Sequence, residues 1–109
     1  MLEPKKERYR RIRGAILKLL AYEHGESLDE NPGTLDIKVL HFSLDNLGYT
    51  ITEEELRSHL YYLENKKPPL VKLEKRKTGK VEIVMISITP DGLDVLDGFK
   101  PDAGIDTRF

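Results

Sequence analysis

The sequence predicts an α+β fold: three helices, a two- or three-stranded antiparallel sheet with a projecting hairpin, and a short C-terminal helix. Apolar residues recur at helical spacing up to about residue 65 and alternate at strand spacing between residues 70 and 88. A Thr-Pro-Asp-Gly segment at residues 89–92 then predicts the start of the last helix. The length of 109 residues leaves room for one domain with one modest core.

The composition excludes several classes of protein. Hydrophobic residues make up 39% of the chain, and no apolar run approaches the ~20 residues of a membrane-spanning helix. Residues 1–13 are highly charged and lack the apolar segment of a signal peptide, so we expect a cytoplasmic protein. The absence of cysteine excludes disulfides, thiolate zinc sites and cysteine nucleophiles.

The net charge of −1 is unevenly distributed along the chain. Residues 1–18 carry seven Lys/Arg and two Glu, whereas residues 19–64 carry two Lys/Arg and ten acidic residues. Residues 65–80 are basic again, with seven Lys/Arg and one Glu, and residues 81–109 have two basic and six acidic residues. If the fold brings the two basic segments together, the molecule has a cationic side despite its nearly neutral sum.

We predict the first helix over about residues 5–23, where apolar side chains recur at spacings of three and four. This stripe consists of Tyr9, Ile12, Ile16, Leu19 and Leu20. Four basic residues lie off the stripe: Arg10, Arg11, Arg13 and Lys18. The His24-Gly25 pair predicts the end of the helix, and the Asn-Pro-Gly segment within residues 26–34 predicts a surface loop.

A helix-turn-helix is predicted in the middle of the chain. The second helix should span about residues 35–47, before Gly48, with Leu35 or Ile37, Leu40, Leu44 and Leu47 inward. Thr52 and Glu55 form a capping-box pattern, in which each side chain accepts a hydrogen bond from an otherwise free amide. The third helix should then span residues 53–65, with Leu56, Leu60 and Leu63 buried and His59 and Tyr62 at the margin. A five-residue turn joins the two helices.

Two strands, over residues 70–75 and 81–88, should form a hairpin whose turn, Arg76 to Lys80, contains Gly79. Alternation places Val81, Ile83, Met85 and Ser87 on one side of the second strand, and Glu82, Val84, Ile86 and Ile88 on the other. Thr89 then caps the last helix, from which Leu93 and Leu96 should pack onto the core. We predict a domain over residues 1–98 and a flexible tail over residues 99–109.

The chain resembles the winged helix-turn-helix family of bacterial transcription regulators, in particular its MarR-like, PadR-like and ArsR-like branches. The resemblance covers about residues 10–98. The residues that carry it are Ile51-Thr52, the leucines of the third helix with Glu64, Leu70-Val71, the hairpin tip from Lys75 to Lys80, and Ile88-Thr89-Pro90-Asp91-Gly92-Leu93. The last of these segments is similar to the strand-to-helix corner of the family.

The resemblance implies a double-stranded DNA partner, with helix 53–65 in the major groove and the basic wing 75–80 on the backbone. On the outward face of that helix, Arg57 would read guanine, Asn65 would read adenine, and Ser58 or Tyr61 would contact phosphate. Wing contacts to phosphate would come from Lys75, Arg76, Lys77 and Lys80, with Arg10, Arg11 and Arg13 as additions. A homodimer is expected for the class because two half-sites increase affinity and specificity, and the first helix or the terminal helix with Phe99 would form its seam.

The chain departs from the family at two places. The third helix begins with three glutamates, of which Glu54 would repel phosphate unless it accepts from cytosine N4, and Pro68-Pro69 stands where the family often has a glycine. An alternative function is therefore a protein-interaction module, in which the acidic third helix and the partly apolar strands engage another protein. The basic residues would then only keep edge strands from pairing. Small size alone suggests a third alternative, a component of a phage or plasmid.

No enzyme motif is present in the sequence. It lacks a phosphate-binding glycine loop, a Gly-x-Ser-x-Gly elbow and a paired-histidine motif, so we expect no catalytic residues and no cofactor. The three histidines, His24, His41 and His59, do not have the spacing of metal ligands, and we expect no metal site.

Overall fold

The structure, a computed structural model, describes residues 5–26 and 33–107, and the side chains within them except those of residues 23–26. It contains α1 Lys5–Glu26, β1 Thr34–Asp36, α2 Ile37–Asn46, α3 Glu53–Glu64, β2 Val71–Thr78, β3 Lys80–Ile88 and α4 Pro90–Leu96. The three strands form one antiparallel sheet in the order β1-β3-β2. This is the predicted α+β class with the element order of a winged helix. Most of the loop predicted at residues 26–34 lies outside the described residues.

One hydrophobic core joins the helices to one face of the sheet. Five apolar residues of α1 are almost fully buried, so the helix packs on a broader face than its predicted stripe: Ile12, Ala15, Ile16, Leu17 and Leu20. From α3, the predicted Leu56, Leu60 and Leu63 are completely buried. The exposed face of α3 is thereby oriented away from the core.

The beginning of the predicted second helix is wrong, because residues 34–36 form a strand. In β1, Leu35 lies opposite Ile86 of β3, and Asp36 then caps α2 by accepting a hydrogen bond from the Lys38 amide at 2.7 Å. The side chain of Leu47, expected inward, is 55% exposed, because α2 ends at Asn46 and Leu47 is its C-cap. Pairing with a distant strand therefore overrides the local helical pattern.

The capping box at the start of α3 is confirmed. The Glu55 amide donates to Thr52 Oγ1 at 3.1 Å, and the Thr52 amide donates to Glu55 Oε1 at 2.9 Å. His41 Nε2 lies 2.6 Å from the carbonyl oxygen of Ile51, and since a carbonyl only accepts, that nitrogen carries the proton. These bonds fix the turn between α2 and α3 and thus the direction of α3.

The predicted alternation along β3 is wrong at Val84. The pairing of β2 with β3 changes from Glu74 opposite Met85 to Lys75 opposite Ile83, so Val84 is an extra residue in a β-bulge. The bulge reverses the alternation, and Ile83 and Ile86, predicted on opposite sides, are both buried. It also changes the direction in which the outer half of the hairpin projects.

The corner between β3 and α4 is built as predicted. Thr89 Oγ1 accepts from the Gly92 amide at 3.0 Å and donates to the carbonyl oxygen of Pro69 at 2.7 Å. Gly92 lies directly against the carbonyl oxygen of Leu70, where no side chain would fit. From α4, Leu96 packs at the edge of the core as predicted, but Val95 and not the predicted Leu93 is the apolar side chain buried there.

The predicted flexible tail contacts the folded body over its described residues, 99–107. Ile105 is buried in the core cluster, and the Asp106 amide donates to the carbonyl oxygen of Arg10 at 3.0 Å. Composition favoured a frayed end because Ile105 is the only aliphatic core residue in this polar segment. The domain boundary at residue 98 stays a prediction.

Candidate nucleic-acid interface

The four residues predicted on α3 share its outward side. Ser58 and Asn65 are exposed, and Arg57 and Tyr61 are half-buried. They lie along successive turns, because positions three or four apart occupy the same side of a helix. The Asn65 residue is the C-cap of α3, so its side chain stands at the end of that surface.

The basic hairpin adjoins this side of α3. Lys75 Nζ lies 5.2 Å from the centre of the Tyr61 ring and 3.5 Å from Glu64 Oε1. The cation therefore rests on an aromatic face beside a carboxylate, which ties β2 to the second half of α3. This contact makes the outward side of α3 and the wing one continuous surface.

Several predicted DNA contacts are paired with carboxylates of the same surface. Arg57 lies 3.9 Å from Glu53, and Arg76 lies 3.6 Å from Glu82. Such exposed ion pairs contribute only ~0–1 kcal/mol, so a phosphate can replace the carboxylate at little cost. In the described part of the chain, Lys77 and Lys80 have no carboxylate within ion-pair distance.

A cleft of about 570 Å³ separates the beginnings of α2 and α3 from the hairpin. Its cationic residues are Lys38, Arg57, Arg76 and Lys80, and its acidic residues are Asp36, Glu53 and Glu82. All three carboxylates are already engaged, in the α2 cap and in the two ion pairs. The four cations and three carboxylates give the cleft a net charge of +1, and among the described residues its cations without an ion pair are Lys38 and Lys80.

The sequence pattern did not indicate Lys38 as a member of this surface. It is one of only two basic residues within residues 19–64, whose net charge is negative, so the segment's charge gives no sign of a cationic site. Its position at the start of α2 depends on β1, which sequence periodicity did not predict. The signal that would have found it is Asp36 as a helix cap, which places Lys38 in the first turn.

The acidic start of α3 is largely used within the helix. The capping hydrogen bonds from Thr52 lower the pKa of Glu55, and Glu53 pairs with Arg57. Glu54 is exposed and, in the part of the chain that the structure describes, has no cation within ion-pair distance. It is the residue on this surface that opposes a polyanion.

Arg13, considered as an additional DNA contact, is instead held in the fold. Its Nε donates to Nδ1 of His59 at 3.2 Å, and its Nη1 donates to the carbonyl oxygen of Gly104 at 3.2 Å. The guanidinium also lies 3.6 Å from the centre of the Tyr62 ring. Burial lowers the pKa of His59 to about 4, and the positive charge of Arg13 adds to this effect. This cluster, Arg13, His59, Tyr62 and Gly104, joins α1 and the C-terminal segment to α3.

Arg10 is likewise paired, with Glu7 Oε1 at 2.6 Å, whereas Arg11 is exposed. Arg10 and Arg13 are therefore engaged within the fold, whereas four other basic residues of the N-terminal segment are exposed: Lys5, Lys6, Arg8 and Arg11. The hairpin is the basic segment that contacts the outward side of α3.

In comparisons with known proteins, no family model, no curated protein and no solved structure matches the chain significantly. In residues 5–26 and 33–107, no helix has the length and apolar character needed to cross a membrane. Nor do those residues bring together three side chains of the types that bind metal ions.

Proposed function

We propose that this chain is a small transcription regulator that binds double-stranded DNA through α3 and the β2–β3 wing. The observation that carries the proposal is the continuity of the outward side of α3 with the basic hairpin, established where Lys75 contacts Tyr61 and Glu64. A helix of about 10 Å diameter that stands beside a cationic hairpin is suited to a major groove flanked by phosphates. The winged helix-turn-helix resemblance supports the same placement.

Each residue of the surface then has a distinct role. Arg57 would exchange Glu53 for the N7 and O6 acceptors of guanine, and Asn65 would pair with adenine. Contacts to phosphate would come from Ser58 or Tyr61 on α3 and from the wing. The wing residues are Lys75, Arg76, Lys77 and Lys80. Those backbone contacts supply affinity without sequence preference.

A homodimer is proposed with this function, because two symmetric half-sites add affinity and specificity. The proposed seams are α1 and the end of the chain around Phe99. The Tyr22 and Phe99 side chains are exposed, at 70% and 77%, and both are large enough to contribute to an apolar interface.

The test is the binding of the purified chain to random-sequence duplex DNA, measured by fluorescence anisotropy from ~50 to 200 mM salt. We expect micromolar affinity that falls steeply as the salt concentration rises. Replacing Lys75, Arg76 and Lys77 together by Gln should weaken binding to every sequence, and each lost phosphate contact should reduce the log–log slope by ~0.9. The control Lys100→Gln removes a cation beyond α4 and should leave the slope unchanged.

A protein-interaction module is the second candidate, and two observations favour it. Glu54 opposes a polyanion, and on α2 the side chains of Val39 and Phe42 are 48% and 66% exposed. Under this function the wing substitutions would matter little, while Glu54→Gln or Tyr61→Ala would disrupt the complex. The absence of DNA binding by the wild-type chain at the lowest salt concentration would favour this candidate.

A further inference from the structure

The C-terminal strap, residues 102–107, lies over cationic residues at the side of α3. Asp102 Oδ2 is 3.1 Å from Lys66 Nζ, and the Gly104 carbonyl oxygen accepts from Arg13 Nη1 at 3.2 Å. The Asp106 amide donates to the carbonyl oxygen of Arg10 at 3.0 Å. Three successive contacts thus attach the strap to α1 and to the residue that follows the C-cap of α3.

The covered site concentrates positive charge around one aromatic ring. The Arg13 guanidinium carbon lies 3.6 Å from the centre of the Tyr62 ring, and Lys66 Nζ lies 4.6 Å from the same point. Within the described residues, Asp102 is the carboxylate at ion-pair distance from Lys66, and its negative charge also acts on Arg13. Two cations therefore share one carboxylate even while the strap is in place.

The covered site borders the proposed DNA surface. Lys66 directly follows Asn65, which caps α3 and is the proposed adenine contact. Tyr62, whose ring both cations contact, follows Tyr61 in the chain and lies about 100° around the helix axis from the wing side of α3. A nucleic-acid backbone that follows the end of α3 would therefore pass close to Lys66.

The strap has two buried residues, the apolar Ile105 and the polar Asp106. Its shape comes from Asp102, whose Oδ1 accepts from the Gly104 amide at 2.8 Å and whose carbonyl oxygen accepts from the Ile105 amide at 3.1 Å. Its apolar attachment is Ile105. A segment with one buried apolar side chain belongs to the parts of a protein that open at low cost in free energy.

We propose that the strap is an internal competitor for phosphate: Asp102 occupies Lys66, and the DNA backbone displaces the strap to take Lys66 and Arg13. This inference rests on the proposed DNA-binding function. A phosphodiester offers charged acceptors to both cations at once, whereas the strap offers one carboxylate and one carbonyl oxygen. The strap thereby holds the affinity of the resting protein below that of the uncovered surface.

The experiment compares two full-length variants with the same change in charge. Asp102→Asn removes the competitor, whereas Asp97→Asn alters an exposed carboxylate at the end of α4 that has no ion pair in the described structure. We expect Asp102→Asn to bind random-sequence duplex DNA about two- to fivefold more tightly than Asp97→Asn, the range for one ion pair near the surface. Adding Lys66→Gln to Asp102→Asn should abolish this gain.

Hydrogen exchange at the Asp106 amide gives an independent measure of strap displacement, since that amide bonds to Arg10 in the docked strap. Its exchange in the wild-type chain should accelerate when DNA is added. Equal affinities of the two variants, or an Asp106 amide that DNA leaves equally protected, would overturn the strap proposal while the DNA function stands. No binding by the wild-type chain at the lowest salt concentration would overturn both.

Discussion

Arg13 Nε donates a hydrogen bond to Nδ1 of His59 at 3.2 Å, across the contact between α1 and α3. Because Nδ1 accepts, the imidazole is neutral and carries its proton on Nε2. His59 is only 4% exposed, and the Tyr9 ring lies edge-on to it with 5.1 Å between the ring centres. The position of the proposed recognition helix thus depends on an uncharged histidine.

Acidification should destabilise the protein between about pH 6.5 and pH 4. The pKa of His59 is lowered from 6.5 to about 4 in the folded state, so in this window the unfolded chain binds the proton first. The contribution of His59 to stability is therefore fully present above pH 6.5. It is lost as the pH falls toward 4, and this loss lowers the free energy of unfolding by as much as about 3 kcal/mol. Urea unfolding measured at several pH values should show this loss.

His59→Gln is the matched control, because an amide oxygen can accept from Arg13 but does not titrate. The variant should lose less stability than the wild type between pH 6.5 and pH 5. The lowered pKa of Glu55 contributes only at still lower pH, below its ordinary value of 4.5. Identical pH profiles of the two chains would show that His59 does not control the effect.

Leu60→Ala should lower the free energy of unfolding by roughly 2–5 kcal/mol, because the Leu60 side chain of α3 is completely buried in the core. Leu47→Ala is the control, since that side chain is 55% exposed and should change stability by no more than ~0.5 kcal/mol. Chemical denaturation measures both, and similar losses in the two variants would contradict the assigned core.

Gly92→Ala should destabilise the docking of α4. A Cβ atom at this position would meet the carbonyl oxygen of Leu70 and lie 2.8 Å from Cγ1 of Ile88. The Leu70 oxygen also accepts from the Thr89 amide at 3.1 Å and belongs to the backbone, so it has no rotamer by which to move away. We expect a loss of roughly 1–3 kcal/mol in thermal or urea unfolding. Asp97→Ala, an exposed position at the opposite end of α4, should be nearly neutral, and a stable Gly92→Ala chain would mean that this corner relaxes.

Arg57→Ala and Lys77→Ala should affect DNA binding differently. The Arg57 side chain would read one base pair, so its removal should cost ~1–3 kcal/mol on a selected site and relax the preference at one position. Lys77→Ala should instead weaken binding to all sequences equally and reduce the salt dependence of binding. Binding to a set of single-base variants of the selected site distinguishes the two outcomes. If Arg57→Ala weakened binding to all of these sites equally, Arg57 would not be a base-reading residue.

Lys38→Gln should weaken non-specific DNA binding and reduce the log–log salt slope by ~0.9. The reason is that Lys38 lines the cleft between the two helices and the wing, where the described carboxylates are already engaged. Lys100→Gln, which breaks an ion pair with Asp91 on α4, is the control for loss of one positive charge. Equal slopes for wild type and Lys38→Gln would exclude the cleft from the interface.

Local sequence alone determined the elements whose signals lie within a few residues. The Thr52 and Thr89 caps set the starts of α3 and α4, because a cap and the amides it accepts from are at most three residues apart. Gly79, with φ of 93°, lies at the hairpin turn as predicted, but the turn is shorter than the predicted residues 76–80 because the strands pair as far as Thr78 and Lys80. The basic wing and the outward residues of α3 followed from these starts by counting along a helix or strand. They were therefore predictable as a candidate surface.

Tertiary structure decided the features that depend on distant partners. β1 forms only because Leu35 meets Ile86, and the bulge at Val84 depends on how β3 fits both β2 and the core. The cluster around Arg13 spans α1, α3 and residue 104, so no local pattern revealed that this cation is used internally. Periodicity indicates which side of a helix or strand is apolar. Which distant group each polar side chain contacts is determined only by the folded structure, because folding brings together residues that are far apart in the sequence.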